Sequence, residues 1–144
     1  MYLVDTDVIS SSAPGRSEGA VANWMDRNSA NLFISAVTVA EVESGIAKAN
    51  RSGSRSQVER LNAWLETILH LYADRVLAFD IAAARCAGRL SDEALAKGQN
   101  PGFADLAIAG TARSRGLTLL SRNVRHFKPL GLLVVDPFTR LPSN

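Results

Sequence analysis

The feature that most constrains this chain is a recurring change of period. Apolar runs of three or four residues alternate with longer stretches in which apolar residues recur every three or four positions. The runs are Tyr2-Leu3-Val4, Leu32-Phe33-Ile34, Val76-Leu77-Ala78, Thr118-Leu119-Leu120 and Leu132-Leu133-Val134-Val135. Each is too short for a helix and lacks the polar alternation of a half-exposed strand, as expected for strands covered on both faces. Between them, Val21, Trp24 and Met25 mark a helix within Ser17–Asn28, and Val39, Val42 and Ile46 mark one within Ala36–Ala49. A third apolar stripe runs from Val58 through Leu61, Leu65, Ile68 and Leu69 to Tyr72. Asp80 is placed to cap a helix through Ile81, Ala84, Ala87 and Leu90 that stops at Gly98. After the Asn100-Pro101-Gly102 turn, a last helix is predicted from Phe103 to Arg115, closed by Gly116. Strands and helices alternating from end to end predict an α/β/α sandwich around a mostly parallel five-stranded sheet. The polar stretch Asn50–Ser56 is expected to be an exposed loop.

Composition narrows the class without naming a function. A length of 144 residues, 47% of them hydrophobic, suits a single domain over 1–144 with a core of its own. The one cysteine, Cys86, cannot form an internal bridge, so a reducing, cytoplasmic setting is the expectation. No basic start precedes an apolar stretch, so no signal peptide is expected. No apolar run approaches the roughly 20 residues that span a bilayer, and no membrane partner is expected. The formal charge of +2 is too small to identify a polyanionic partner by itself. A Gly-Lys phosphate loop, a Gly-x-Ser-x-Gly elbow and zinc-ligand spacing are all missing.

The chemistry lies in where the acids fall. In open parallel sheets, ligands collect beyond the carboxyl ends of the strands. Asp5 directly follows the first strand, Glu41 lies early in the helix after the second, and Asn123 lies three residues past Leu120. Asp105 is in the first turn of a helix that leads into a strand, so it begins near the same rim. Each residue also has a local explanation. Asp5 can cap the following helix, Thr38-Val39-Ala40-Glu41 reads as a capping box, Asp105 meets a helix dipole, and Asn123 suits a turn. Local roles do not explain why three carboxylates should share one rim, where like charges repel and raise one another's pKa. A divalent cation such as Mg²⁺ relieves that conflict, because it prefers oxygen ligands and can activate water against a phosphodiester.

At this point the residues resemble a known family. Leu3-Val4-Asp5-Thr6-Asp7-Val8-Ile9-Ser10 is similar to the opening of PIN-domain toxins of the VapC and FitB type. The segment from Ile34 to Ile46, with Glu41 in the acidic position, resembles their second motif. Phe103-Ala104-Asp105-Leu106-Ala107-Ile108-Ala109 resembles the third, and Leu120-Ser121-Arg122-Asn123-Val124-Arg125-His126-Phe127 the fourth. The motifs stand in the family's order and span nearly the whole chain. The resemblance implies a PIN-like parallel five-stranded sheet and an endoribonuclease dependent on Mg²⁺ or Mn²⁺. It further implies a homodimer and a cognate antitoxin protein within a type II toxin–antitoxin pair, which can build a larger assembly. Asp5, Glu41 and Asp105 would be the metal-centred acids, with Thr6 supporting the site through its hydroxyl. Asn123 stands where the family often has Asp, which removes a charge but leaves a carbonyl able to bind water or metal. Asp7 stands where Asn is common and is expected to be structural.

Arg122, Arg125 and His126 flank the fourth motif and are the expected contacts for RNA substrate. Lys48, Arg51, Arg55 and Arg60 surround the polar stretch and could hold RNA phosphates, although a solvated helix surface is the favoured reading. His70 and His126 are the only histidines, and nothing in the sequence brings them together for a metal-free mechanism. Two rival readings stand beside the ribonuclease. Asp5-Thr6-Asp7 after an apolar strand resembles the start of haloacid-dehalogenase-type phosphatases, though no convincing downstream lysine or paired-acid motif follows. Asn123 also permits a PIN-fold binding module that has lost catalysis.

Overall fold

Alternate residues of five short strands face opposite sides of one sheet, and both sides are covered. A computed structural model describes residues 1–16 and 19–143. The strands are β1 (Tyr2–Val4), β2 (Leu32–Ser35), β3 (Val76–Leu77), β4 (Thr118–Leu120) and β5 (Val134–Val135). They lie in the order β3-β2-β1-β4-β5, and every pairing is parallel. The register aligns Val4 with Ile34 on one side and with Leu120 on the other. Val4, Leu32, Ile34 and Leu120 therefore enter one core with Val8, Ile9, Trp24, Ile68 and Tyr72. Leu3 and Leu119 enter the opposite core with Leu90, Ile108, Ala109 and Phe127. The result is the expected α/β/α sandwich, with a sheet that is wholly rather than mostly parallel.

Seven helices flank the sheet among the described residues: α1 (Thr6–Ile9), α2 (Ala20–Arg27), α3 (Ala36–Arg51), α4 (Arg55–Tyr72), α5 (Ile81–Ala96), α6 (Phe103–Ser114) and α7 (Val124–Phe127). Asp80 caps α5, its Oδ1 accepting from the Ala83 amide at 2.9 Å. Gly98 and Gly116 follow α5 and α6 with φ of 72° and 62°, the left-handed backbone that glycine adopts without a Cβ clash. The start of the predicted Ser17–Asn28 helix falls partly outside the described residues.

Two local expectations are corrected. The Asn50–Ser56 stretch is not a long loop, because α3 runs through Arg51 and α4 begins at Arg55, leaving only Ser52-Gly53-Ser54. Polar residues on a solvated helix face carry the same composition as a loop, and composition could not separate them. Thr38-Val39-Ala40-Glu41 is not a capping box. Ser35 is the cap, its Oγ accepting from the Val37 amide at 3.1 Å, so Thr38 and Glu41 lie inside α3.

The strand order positions the site. From β1 the chain moves outward to β2 and β3, then returns to the other side of β1 to add β4 and β5. Connections thus leave β1 and β4 in opposite directions, which opens a crevice beyond their carboxyl ends. Asp5 and Ser121 are the first residues past those two ends.

Candidate active site

Asp5 is held at the crevice by both of its neighbours. Its amide donates to the Leu120 carbonyl at 2.9 Å, extending the β1–β4 ladder by one residue. Its side chain caps α1: Oδ1 accepts from the Thr6 amide at 2.8 Å, while Oδ2 accepts from Ser121 Oγ at 2.6 Å. Ser121 Oγ in turn accepts from the Asn123 amide at 3.0 Å, so the hydroxyl proton is directed at Asp5. Asp5 is 4% exposed and Ser121 fully buried. Burial pushes the Asp5 carboxyl up to about 6, with the nearby charges of Asp7 and Asp105 adding to the rise and the Ser121 and Thr6 hydrogen bonds opposing it. Capping alone does not require an acid to be buried so deeply among other acids.

Asp105 reaches the rim from the first turn of α6, as expected from sequence. Its Oδ2 lies 3.5 Å from His126 Nδ1, and the two residues line a groove of about 360 Å³ with Gln99, Asn100, Pro101 and Arg125. Glu41 lies in the second turn of α3 and lines a different groove together with Thr6. Thr6 links the two elements, its Oγ1 donating to Thr38 Oγ1 at 3.2 Å. Asp5 and Asp105 are within electrostatic reach of one another, while Glu41 stays in its separate groove and is not brought together with them. Among the described residues, no three His, Cys, Asp or Glu side chains are grouped so that they could hold a metal ion together. The Asn123 side chain is exposed and makes no capping bond to α7; its contribution to this network is its main-chain amide.

The family follows from the comparison of the whole chain. A family model described as the PIN domain matches residues 2–130. The chain belongs to the PIN-domain family. This PIN domain is 34% identical over 139 residues to the VapC ribonuclease Y4jK of Sinorhizobium fredii, spanning 96% of this chain and 98% of that protein. It is 33% identical over 141 residues to the toxin FitB of Neisseria gonorrhoeae, spanning 96% and 99%. The crystal structure of FitAcB from Neisseria gonorrhoeae superposes with a TM-score of 0.83 at 32% identity, over 96% of this chain and 99% of that one.

Within the PIN domain, Asp7 behaves differently from Asp5. Its Oδ2 accepts from the Arg122 amide at 3.1 Å, so it ties α1 to the segment after β4. Partial burial raises its carboxyl above the usual range, opposed by the Arg122 amide and guanidinium. Asp7 Oδ1 is buried without a hydrogen-bond partner among the described residues, and it is the match to the PIN domain that disfavours the phosphatase reading. Arg122 itself turns away from the Asp105 groove and lies over the Phe138 ring, 4.8 Å from its centroid. Arg125 and His126 remain beside Asp105. Arg55 is an exposed helix residue paired with Glu59 at 3.5 Å, in keeping with a solvated surface around the α3–α4 turn.

Sequence reasoning missed Ser121 and Thr38. Ser121 was within reach of the strand-end rule, being the first polar residue after β4 and nearer the edge than Asn123. The role of Thr38 carried no such signal, because its partner Thr6 lies 32 residues away and the capping-box pattern offered a competing explanation.

Proposed function

We propose that this PIN domain is a metal-dependent endoribonuclease acting in the cytoplasm as the toxin of a toxin–antitoxin pair. The observation that carries the reading is the buried Asp5 carboxylate, which shares its crevice with other acids and has no cationic side chain bridged to it among the described residues. Oxygen donors so arranged suit a hard divalent cation, since charge that repels between acids is attracted to the ion. Asp5, Asp105 and Glu41 would hold Mg²⁺ or Mn²⁺, with the two carboxylates nearest each other supplying most of the charge. When bound, such an ion lowers the pKa of a water and neutralises charge developing on the phosphodiester.

The chain's own residues supply the positioning. Ser121 and the Thr6 amide hold the two Asp5 oxygens in one rotamer, and the Asn123 amide orients the Ser121 hydroxyl. Thr6 braces α1 against α3 and so sets the distance between Asp5 and Glu41. Arg125 and His126 stand beside Asp105, where they can pair with phosphates of an RNA strand. Water then attacks phosphorus, the bond to the leaving sugar oxygen breaks, and the proton ends on that oxygen. Relatives named as a VapC ribonuclease and a toxin support RNA as substrate and an antitoxin protein as partner. A homodimer, or a larger assembly with the antitoxin, accompanies this reading.

Purified protein is expected to cut RNA in Mg²⁺ or Mn²⁺ and to stop when the ion is chelated. Undiminished cleavage in chelator would overturn the metal mechanism. RNA binding without cleavage under any divalent ion would support the inactive binding module in its place.

A further inference from the structure

The segment after β5 builds a platform that the acidic crevice does not use. Asp136 closes a tight turn: Oδ1 accepts from the Phe138 amide and Oδ2 from Thr139 Oγ1, both at 2.9 Å, and its carbonyl accepts from the Arg140 amide at 3.0 Å. The turn leaves Phe138 42% exposed. The Arg122 guanidinium lies over that ring at 4.8 Å. Phe138 lines a groove of about 350 Å³ with Ser11, Arg16, Val21, Pro137 and Arg140. Its neighbour Arg122 is one residue from Ser121, which bonds Asp5, and its amide is fixed by Asp7.

We infer that this groove is a second binding surface for the RNA strand, in which a base stacks on the Phe138–Arg122 pair and the flanking phosphates meet Arg16 and Arg140. The inference rests on the nuclease reading and deepens it. An exposed aromatic face beside guanidinium groups is the combination that binds single-stranded nucleic acid without needing a particular base. Three features favour RNA over a polypeptide as the occupant. The cations match a phosphate backbone, the turn pre-sets the ring so little ordering is needed, and Arg122 is tied to the acidic crevice by its amide bond to Asp7. The Asp105–Arg125–His126 groove is lined from α6, α7 and the turn before α6, whereas this one is lined from Ser11, Arg16, α2 and the segment after β5.

The test uses the full chain and an unstructured, fluorescein-labelled RNA of about 12 nucleotides, within the span that single-strand grooves cover. Anisotropy in chelator reads binding, and steady-state cleavage with Mn²⁺ reads turnover. Phe138→Ala is expected to weaken Kd and raise KM by roughly tenfold or more, the worth of one stacked base, with kcat within about twofold. Phe138→Trp is expected to restore both. Replacing Arg16 and Arg140 together by Ala is expected to flatten the salt dependence of log K by about 1.4, near 0.7 for each phosphate no longer neutralised. Unchanged Kd and KM in Phe138→Ala, or a loss confined to kcat, would overturn the inference and leave the nuclease reading standing. A wild-type chain that neither binds nor cuts the RNA would overturn the nuclease reading itself. If the variants bind RNA normally but lose a co-expressed partner polypeptide, the groove belongs to a protein and the inference fails.

Discussion

Asp5 and Gly110 both occupy places where segments distant in sequence pack closely, one at the carboxyl end of β1 and the other between α5 and α6. At Gly110 the close approach is apolar. A Cβ there would meet the Ala83 carbonyl oxygen at 2.5 Å and Ala87 Cβ at 2.9 Å. Glycine inside a helix is unfavourable by about 0.5–1 kcal/mol against alanine, a cost offset by letting α6 settle against α5. At Asp5 the buried group is a carboxylate whose ionised form the surroundings disfavour, so its closeness to the core opposes stability at neutral pH. One region is packed to hold the fold. The other holds a charge that the fold would be more stable without, and such a position is retained where it serves chemistry.

Substituting the two residues separates these roles. Asp5→Asn is expected to lower RNA cleavage by at least about 10²-fold, since even an outer partner of a metal ligand is worth 10- to 100-fold. Expression of the wild-type chain is expected to arrest bacterial growth, and this variant to relieve the arrest. Its stability should move the other way. Because folding raises the Asp5 pKa from 3.8 to about 6, its favourable contribution is complete below about pH 4 and is lost as pH rises through 6. Without metal, the wild type should lose more stability across that window than Asp5→Asn, in which the raised Asp7 still titrates, and the variant should end about 1–3 kcal/mol more stable at pH 7. Urea unfolding of both proteins between pH 4 and pH 8 measures this. An Asn variant that is less stable at neutral pH would make Asp5 an ordinary cap and erase the contrast.

Gly110→Ala is expected to do the reverse. The added methyl group should cost about 1–3 kcal/mol through overpacking, more than the helix propensity it gains. The cleavage rate per folded molecule should not change. A stabilised Gly110→Ala protein would mean that α5 and α6 separate easily and that their packing is looser than the distances require.

The smallest effect belongs to the surface. Arg55→Ala removes an exposed pair with Glu59, and exposed pairs of this spacing contribute little. Melting temperature and RNA affinity are expected to stay within measurement error. A marked loss of RNA affinity would add the α3–α4 turn to the binding path and weaken the contrast between rim and surface.

Much of the molecule is legible in the order of its residues. Each strand is marked by a short apolar run, and the Asp80 cap and the glycines after α5 and α6 mark helix ends, because these signals depend on residues a few positions apart. Asp5 and Asp105 can be placed at one rim from the rule that parallel strands gather ligands at their carboxyl ends. Where sequence reading erred, two local patterns coincided. Polar residues in Asn50–Ser56 suited loop and solvated helix equally, and Thr38 to Glu41 matched a capping box although Ser35 takes the cap.

What sequence by itself determined, then, was the alternation of strand and helix, the covered faces of the sheet, and the acids that the chain could bring to its edge. Tertiary structure alone decided which partners those acids have. The Ser121 hydroxyl reaches Asp5 across 116 residues because β1 and β4 are register neighbours, and Asp7 takes the Arg122 amide for the same reason. It also decided that Glu41 shares a groove with Thr6 while Asp105 shares one with His126. Periodicity is a property of neighbours along the chain, whereas hydrogen bonds and buried charge depend on strand order, register and rotamer. Those are set only when distant segments pack.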